Sequence, residues 1–274
     1  MKLLEGKVAI ITGSGRGIGR SVANLFVQHG ASVLINDLDD EVGNEAAEAI
    51  NAEGGRAVAC NGSVVDEKFP DQLIKKALDE LGRLDIIVNN AGYTWDAVVH
   101  NMTDSAWESM IAIHMSAPFR IIRAASSYFR ETAKQEIANG RSVHRKIINV
   151  SSVSGLTGNA GQVNYAAAKM GVVGMTKALA REWGRFNINV NAVAFGFIDT
   201  RLTDAKEKGV RLKIEGNEIS IGVPEIAREE FKKLIPLGRP GTPDEAAGPV
   251  LFLASPLSDY VTGVVLTVAG GSYM

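Results

Sequence analysis

Cysteine is nearly absent from this chain, which has Cys60 alone among its 274 residues. A single thiol cannot form an intrachain disulfide or a thiolate metal cluster, and at the end of the apolar run Ala57–Cys60 it is typical of a core residue. No stretch has the eighteen or more apolar residues that a membrane span needs. The N-terminal segment MKLLEGKVAIITGSG lacks the small-residue cleavage site of a signal peptide. We therefore expect a cytoplasmic protein with no metal.

Blocks of like charge are also absent. Lysine and arginine total 29 and aspartate and glutamate 31, with the two signs interspersed and a formal net charge of -2. This balance favours neither nucleic acid nor a membrane surface as a partner. With only 8 prolines, the chain has no Pro/Ser/Gly-rich linker, and 46% of its residues are hydrophobic, enough for a sizeable core. We predict one domain over residues 1–274.

What the sequence does contain is a regular alternation of short apolar runs with amphipathic stretches. The apolar runs are rich in valine and isoleucine and show little polar alternation, as in strands that are covered on both faces. The stretches between them, such as Gly17–His29, Asp40–Glu53 and Pro70–Leu81, have helical spacing. This alternation predicts a doubly wound α/β fold with a mostly parallel sheet of about seven strands. The strands are predicted at Lys7–Ile11, Ala31–Ile35, Ala57–Cys60, Leu84–Val88, Lys146–Val150, Asn189–Val193 and Val264–Val268.

Two segments interrupt the alternation. The polar tract Arg130–Lys146 lies between a long predicted helix and a strand, and we interpret it as a surface extension. The second segment covers about residues 201–237 and contains PEIAREEFKKLIP, which predicts a helix starting near Pro224. One face of that helix would carry Ala227, Phe231, Leu234 and Ile235. Long insertions in compact domains are often functional lids, and an amphipathic helix favours a substrate lid here.

A glycine-rich loop follows the first predicted strand and precedes a predicted helix. Glycines let the backbone turn tightly and approach a pyrophosphate, and the helix N-terminus supplies unpaired N–H groups. A glycine turn alone is weak support, but both flanking elements that the motif requires are present. We therefore predict a dinucleotide site at TGSGRGIG, whose cofactor-binding residues are Gly13, Ser14, Arg16, Gly17, Ile18 and Gly19.

Asp37 follows the second predicted strand and lies eighteen residues after Gly19. A carboxylate there can accept both ribose hydroxyls of an adenosine and would repel a 2′-phosphate, although a turn-forming aspartate is the alternative. Arg16 is a basic residue that could instead attract that phosphate. Weighing the two, we predict NAD as the cofactor, with NADP possible.

Tyr165 and Lys169 are four residues apart in an alanine-rich helical stretch and so share one face. A tyrosine hydroxyl has a pKa near 10, and a nearby ammonium would lower it by stabilising the phenolate. We expect Lys169 and the positive nicotinamide ring together to move that pKa down. Tyr-x-x-x-Lys taken alone is a common chance pairing, so the interpretation depends on the motifs around it.

Those motifs resemble the short-chain dehydrogenase/reductase family in its single-domain branch. The similarity runs through nearly the whole chain in order, and Ser152 stands thirteen residues before Tyr165, the family's usual separation. The most similar group is the 3-oxoacyl-(acyl carrier protein) reductases, and GQVNYAAAK also resembles hydroxyacyl-CoA dehydrogenase domains. The motifs that carry the resemblance are TGSGRGIG at 12–19, NNAG at 89–92, NVSS at 149–152, YAAAK at 165–169 and the late IPLGRPGTPDEAA.

The resemblance implies a role for each matching residue. Tyr165 would be the general acid in reduction and base in oxidation, with Ser152 holding the carbonyl oxygen. Lys169 would lower the pKa of Tyr165 and hold the nicotinamide ribose. Asn90 would contact the adenosine side and Ile198 the nicotinamide carboxamide.

The chain departs from the family at several positions. The family's fourth catalytic residue, usually asparagine, is replaced by His114. Either the imidazole keeps the proton path to Lys169, which would add an acid-side pH dependence near 6.5, or it only satisfies a backbone carbonyl. Ser63 and Val64 stand where Asp-Val commonly binds adenine. Phe195 replaces a proline, and it would shape the pocket or fill the core.

The sequence thus predicts an NAD(P)-dependent enzyme that interconverts a ketone and a secondary alcohol. A 3-oxoacyl thioester is the expected substrate class, and another small alcohol, such as a sugar, polyol or steroid, is the alternative. A non-catalytic cofactor sensor is disfavoured because Ser152, Tyr165 and Lys169 are all present. The resemblance further implies a homodimer or homotetramer that packs through helices at 104–130 and 161–185.

Overall fold

Seven parallel strands form one sheet in the computed structural model, which describes residues 2–214 and 217–273. Each predicted strand is present, with bounds that shift by one or two residues at most ends. The largest differences are two residues: the strand predicted from Leu84 begins at Ile86, and the strands predicted to end at Val150 and Val193 continue to Ser152 and Phe195. The strands are β1 (Val8–Thr12), β2 (Ser32–Asn36), β3 (Ala57–Ala59), β4 (Ile86–Asn89), β5 (Arg145–Ser152), β6 (Ile188–Phe195) and, last in the chain, β9 (Val265–Val268).

Helices cover both faces of this sheet. The helices are α1 (Gly17–Gln28), α2 (Asp40–Ala52), α3 (Phe69–Leu81), α4 (Asp104–Ile111), α5 (Ala117–Ala138), α6 (Val153–Thr157), α7 (Val163–Trp183), α8 (Glu225–Lys233) and α9 (Pro243–Ala254). On one face α3, α5 and α7 enclose a core cluster that includes Leu73, Phe129 and Trp183. On the other face α1, α2 and α9 enclose a second cluster with Phe26 and Ile50.

Burial on both faces explains the apolar strand sequences. In β1, Ile10 packs into the first cluster, while Ala9 and Ile11 pack into the second. Successive side chains of a strand point to opposite faces, so a strand that is covered on both sides needs an unbroken apolar run. The doubly wound fold predicted from the sequence is therefore confirmed. Among the described residues, no helix combines the length and apolar character needed to cross a bilayer.

The strand order is β3-β2-β1-β4-β5-β6-β9. It reverses between β1 and β4, because the chain first adds strands on one side of β1 and then on the other. At such a switch point, the loops that leave the carboxyl ends of neighbouring strands diverge and open a crevice. Gly13 and Asn90 follow β1 and β4 at this crevice.

The long helix expected at 104–130 is interrupted by a π-helical turn at Ala112–Ser116, between α4 and α5. Pro118 supplies a physical reason, because it has no N–H to donate to the carbonyl of residue 114, four positions earlier. Turns of this kind occur often at functional sites. Here the turn carries His114 on its inner side, where only 3% of the side chain is exposed.

The tract predicted as a surface extension, Arg130–Lys146, is partly buried instead. Helix α5 continues to Ala138, and Arg145 is 1% exposed. Its guanidinium donates to both carboxylate oxygens of Glu136, at 2.7 and 3.2 Å. The charges of Glu136 and Arg145 neutralise each other inside the protein, which composition does not reveal, while residues 137–142 are exposed as predicted.

The predicted lid region contains the expected helix, α8, and also a hairpin that the sequence did not predict. The hairpin pairs β7 (Arg211–Ile214) with β8 (Asn217–Ser220) in antiparallel fashion. Residues 215 and 216 of the predicted lid lie outside the described residues. Helix α8 ends at Lys233, so Leu234 leaves the predicted inner face and is 66% exposed, whereas Ile235 is buried.

Candidate active site

A cavity of about 790 Å³ follows the carboxyl edge of the sheet. It extends from the loop after β3 to the segment after β9, and so passes β2, β1, β4, β5 and β6 in turn. Its lining brings together nearly all the residues predicted from the sequence. They are Gly13, Arg16, Gly17, Ile18, Gly19, Asp37, Ser63, Val64, Asn90, His114, Ser152, Tyr165, Lys169 and Ile198.

The glycine loop leaves its backbone open to this cavity. Gly13 has φ +63°, and a Cβ there would lie 2.8 Å from the Cα of Ala91. A Cβ on Gly19 would lie 2.2 Å from the carbonyl oxygen of Gly13. Arg16, the N-cap of α1, makes no side-chain cap, and the first turn has no acidic residue. The helix N-terminus therefore presents uncapped N–H groups next to the cavity.

Two of the predicted cofactor residues hold the loop in place through their side chains. Ser14 is fully buried, and its hydroxyl donates to Ile11 O at 2.7 Å and accepts from Asn36 N at 3.1 Å. The Ser14 side chain therefore joins β1 to β2 and does not line the cavity, contrary to expectation. The amide of Asn90 donates to the carbonyls of Thr12 and Gly13 at 2.9 and 3.0 Å.

Asp37 lies at the end of β2 and lines the cavity. Its Oδ2 accepts from Gly15 N at 3.1 Å, which fixes the carboxylate beside the glycine loop. Arg16, the cation that complicated the cofactor prediction, pairs with Asp39 at 3.0 Å. Arg201 faces the same group of charges from the lid, and burial followed by the charge of Arg16 lowers its pKa.

Ser63, Val64 and Ile198 line the cavity in different ways. Ser63 is half-buried, and its carbonyl accepts from Asp66 N at 3.1 Å. The side chain of Val64 is 5% exposed and belongs to the core. Ile198 is also 5% exposed and forms an isolated bridge with Gly241, which joins the segment after β6 to the start of α9.

Ser152 and Tyr165 meet across the middle of the cavity. Ser152 is the last residue of β5, and its Oγ accepts from Ser154 N at 3.2 Å, so the hydroxyl is held at the strand end. A hydrogen bond from Ser152 lowers the pKa of Tyr165, but burial raises it more, and the net value is about 12. The predicted lowering relied on Lys169 and the nicotinamide ring together, and the residues of the chain alone raise the tyrosine pKa.

Lys169 lies beside Tyr165 in the same buried part of the cavity. Its Nζ donates to Val150 O at 2.7 Å and lies 5.5 Å from the centre of the Tyr165 ring, over the ring face. In residues 2–214 and 217–273, no carboxylate lies within ion-pairing distance of this ammonium. Burial lowers the pKa of Lys169 to about 7, so its own positive charge is weakened at neutral pH.

His114 packs edge to face against Tyr165. Its Nε2 lies 2.7 Å from Tyr93 O, which requires a proton on Nε2, since a carbonyl only accepts. Nδ1 is then an unprotonated acceptor, and it has no hydrogen-bond partner among the described residues. Burial, followed by the charge of Lys169, lowers the pKa of His114 well below 6.5. The ring is neutral at physiological pH, so an acid limb near 6.5 is no longer expected.

Residues that the sequence did not single out complete the site. Gly92 is needed beside His114, because a Cβ there would lie 2.2 Å from the imidazole Cε1. Asn164, inside the quoted NYAAAK motif, is fully buried and donates to the carbonyls of Trp95 and Ala106. Its position directly before Tyr165 is the sequence feature that could have indicated a role for Asn164 in the site. A buried amide at that position holds the loop after β4 against α7.

Phe195 lies at the end of β6, is 5% exposed and lines the cavity, so it combines the two roles left open by the sequence. The neighbouring Gly196 packs against Ala269, since a Cβ there would lie 2.7 Å from that of Ala269. The sequence offered no interpretation of Ala269. Its small side chain allows the chain after β9 to pass close to β6.

This fold and site define a nicotinamide-dependent oxidoreductase. Over residues 13–273 the chain matches the family described as enoyl-(acyl carrier protein) reductase. It is 40% identical to the 3-oxoacyl-acyl-carrier-protein reductase FabG of Thermotoga maritima, with 98% of each chain covered. It is also 40% identical to that of Vibrio harveyi, with 99% of each covered, and 39% identical to that of Chlamydia muridarum, with 98% of each covered. The chain belongs to the short-chain dehydrogenase/reductase family.

The family implies a nicotinamide dinucleotide, and the residues present fit one. The loop at 13–19 has no room for side chains at Gly13 and Gly19, while its backbone fronts the cavity. The α1 N-terminus offers donors for a diphosphate, and Asp37 offers acceptors for ribose hydroxyls. The orphaned Nδ1 of His114 indicates that the site is completed by a group from outside the chain.

Proposed function

We propose that this enzyme reduces the ketone of a 3-oxoacyl thioester to the secondary alcohol, with NADH as the preferred cofactor. The observation that carries the proposal is the meeting of Ser152, Tyr165 and Lys169 in one cavity with the glycine loop. The FabG relatives, which share about 40% of their residues with this chain, support the thioester class.

Ser152 and Tyr165 would act together on the substrate carbonyl. When bound, the nicotinamide ring supplies the hydride for reduction or accepts it in oxidation. The Ser152 hydroxyl, held at the end of β5, would donate to the carbonyl oxygen and stabilise the charge that develops there. The Tyr165 hydroxyl would deliver its proton to the same oxygen. Lys169 would restore the proton on Tyr165 and bind the nicotinamide ribose.

The ionisation state of Tyr165 suits its role as the proton donor in reduction. Reduction requires a protonated tyrosine, and a pKa of about 12 keeps Tyr165 protonated at neutral pH. Oxidation would need the phenolate, whose formation burial opposes until positive charge is added nearby.

His114 would take the place of the family's asparagine as an acceptor. With Nε2–H donated to Tyr93 O, the free Nδ1 lone pair could hold a water that leads toward Lys169. The neutral imidazole would accept a hydrogen bond from that water and position it, so the proton would move through the water and none would be added to Nδ1. Nε2 satisfies the carbonyl of Tyr93, and Nδ1 would hold the water. The two roles considered for His114 involve different nitrogens and are therefore compatible.

NADH is favoured over NADPH by the charges around Asp37. Gly15 holds the Asp37 carboxylate in place, and Asp39 neutralises Arg16, so the surroundings of the adenosine ribose are not strongly positive. A 2′-phosphate would meet the Asp37 carboxylate directly. Arg201 is the opposing influence, because its guanidinium faces the same place from the lid.

A small polar alcohol is the second candidate substrate. A hydrogen-bonded trio of Asn159, Gln162 and Asp96 lines the cavity, with Gln162 Nε2 donating to Asp96 Oδ2 at 2.9 Å. Such groups suit hydroxyls, as in a sugar or polyol. They also suit the amide N–H groups of a pantetheine arm, while the apolar lining near α8 suits an acyl chain.

A nicotinamide absorbance assay tests this proposal directly. The wild type is assayed against 3-oxoacyl thioesters, sugars, polyols and steroids, with NADH and NADPH in parallel. We expect the highest kcat/KM for a 3-oxoacyl thioester with NADH. Turnover of polyols but of no thioester would assign the second candidate, and cofactor binding without any turnover would indicate a sensor.

We also propose a homodimer or homotetramer in the cytoplasm. Apolar side chains are exposed on the helices expected at the interface, including Trp107 and Phe119 on α4 and α5 and Met170 on α7. Large apolar side chains on a helix surface favour a partner that covers them. Light scattering at micromolar concentration tests the assembly, and a mass equal to one chain would contradict it.

A further inference from the structure

The chain that follows β9 emerges beside the catalytic part of the cavity. Val268, the last residue of β9, pairs with Phe195 at the end of β6. Ser152 Oγ lies 3.5 Å from Phe195 O, so β6 separates this segment from Ser152. The glycine loop and Asp37 lie at the other end of the cavity, after β1 and β2. The segment after β9 therefore lies beyond the reacting carbonyl, on the side away from the adenosine.

From there the segment Gly270–Tyr273, which we name the latch, folds against the end of the lid. Leu237 N donates to Gly270 O at 3.1 Å, and Ser272 Oγ donates to Leu234 O at 3.2 Å. The two hydrogen bonds join the latch to the lid segment directly after α8. They hold this end of the lid at a fixed distance from the sheet.

Two consecutive glycines permit the contact. Gly270 and Gly271 have φ +62° and +90°, a region that other residues rarely adopt. A Cβ on Gly270 would lie 2.8 Å from Cγ2 of Ile235, and one on Gly271 would lie 2.9 Å from Cγ of Pro236. Both the backbone conformation and the close packing thus require glycine at these positions.

The latch also supplies cavity lining. Ser272 and Tyr273 line the cavity together with Phe231 and Leu234 of the lid. The ring of Phe231 lies 5.8 Å from that of Phe197, which connects this end of the cavity to the strand end at Phe195. Tyr273 is 48% exposed and Leu234 is 66% exposed, so their apolar surface is open to a ligand.

We propose that the latch fixes the lid over the substrate half of the cavity, and that Tyr273 is a specificity-determining residue that limits the length of the acyl chain. The chain-length part rests on the proposed thioester substrate. An acyl group whose 3-oxo carbon reaches Ser152 and Tyr165 would extend past Phe197 and Phe231 toward Tyr273. The aromatic ring at that end would stop a chain that is too long.

The chain-length part is tested by Tyr273→Ala, with Tyr260→Ala as the matched control because Tyr260 is fully exposed in the loop before β9. Both are assayed with 3-oxoacyl thioesters of increasing acyl length. We expect Tyr273→Ala to lower KM for the longest chains by about tenfold, as when roughly two more methylenes are buried. KM for the shortest chains, which would not reach Tyr273, should change least, and the Kd for NADH, which would bind at the other end of the cavity, should stay at its wild-type value. An unchanged chain-length profile would overturn this part.

The latch part is tested without substrate. Gly271→Ala and Ser272→Ala are compared with Gly248→Ala, a control glycine in α9 with no atom within 4 Å of an added Cβ. We expect trypsin to cleave the lid, at Lys206, Lys208 or Arg211, several-fold faster in the two latch variants only. Equal cleavage rates in all proteins would overturn the latch. If the wild type reduces no thioester, the chain-length part falls with the proposed function, and proteolysis still decides the latch.

Discussion

The rings of His114 and Tyr165 pack edge to face, with their centroids 4.9 Å apart and their planes at 89°. The contact places a neutral imidazole against the tyrosine that would donate the proton. It also excludes water from one side of the phenol, which contributes to the burial that raises the tyrosine pKa. His114 therefore affects the site through both its ring and its free Nδ1.

Replacing His114 separates these effects. His114→Asn should keep activity by restoring an amide acceptor, and His114→Ala should lower kcat by roughly ten- to a hundredfold if Nδ1 holds the relay water. If only the Tyr93 carbonyl matters, Ala should instead lower the free energy of unfolding by about 1–3 kcal/mol with kcat nearly unchanged. Measuring kcat and Tm on both variants, with the exposed His100→Asn as control, decides between the two roles.

The low pKa of His114 also predicts a pH dependence of stability. As the pH falls below 6.5, histidine takes up a proton in the unfolded chain but not in the folded protein. Wild-type stability should therefore fall with pH in this window, and His114→Asn should lose less. Urea denaturation between about pH 6.5 and 4.5 measures the difference. An identical pH dependence in the variant would show that the folded histidine titrates normally.

Replacing Tyr165 by Phe tests the proton donor. The ring packing against His114 would remain, but the transferable proton would be lost. We expect turnover to fall at least about a hundredfold, while the Kd for NADH is unchanged. Tyr260→Phe, at a fully exposed position, is the control. A Tyr165→Phe enzyme with near wild-type turnover would refute the proposed mechanism.

Periodicity and motif spacing were sufficient to predict the sheet, its strands and the central residues of the cavity, such as Ser152, Tyr165 and Lys169. Side-chain direction was not predictable in this way, as Ser14 shows, because a serine in a glycine loop can face either the ligand or the strand beneath it. The raised pKa of Tyr165 comes mainly from burial, which spacing along a helix does not determine. The hairpin β7–β8 and the buried pair Glu136–Arg145 depend on contacts that local composition does not report.

Cofactor choice should depend on Asp37. We expect the wild type to bind NADH more tightly than NADPH. Asp37→Ala should reduce the ratio of the NADPH Kd to the NADH Kd by about tenfold or more, because a like-charge contact with the 2′-phosphate is removed. Arg201→Gln in the Asp37→Ala background should weaken NADPH binding more than NADH binding. Arg239→Gln, whose guanidinium pairs with Glu245, is the control arginine. Fluorescence titration gives each Kd. Tighter binding of NADPH than of NADH by the wild type would contradict the proposal that NADH is the preferred cofactor.

We expect the buried ammonium of Lys169 to lower the free energy of unfolding, although the reaction needs this residue. Its folded-state pKa of about 7 lies below the usual 10.5. Between these two pH values the lysine is therefore protonated in the unfolded chain and mostly neutral in the folded protein. The destabilisation is therefore complete below about pH 7 and disappears as the pH rises toward 10.5. Lys169→Met, which replaces a buried ammonium without a carboxylate partner, should be more stable than the wild type by about 1–4 kcal/mol at pH 6.

The same variant should be inactive, because nothing would restore the proton on Tyr165. The stability advantage of Lys169→Met should shrink steadily between pH 7 and about 10, since the wild-type lysine is then neutral in the folded protein. Denaturant unfolding at several pH values measures this trend, with the exposed Lys177→Met as a control that should show none. A variant that is less stable than the wild type at pH 6 would mean that the hydrogen bond to Val150 outweighs the cost of burying the charge.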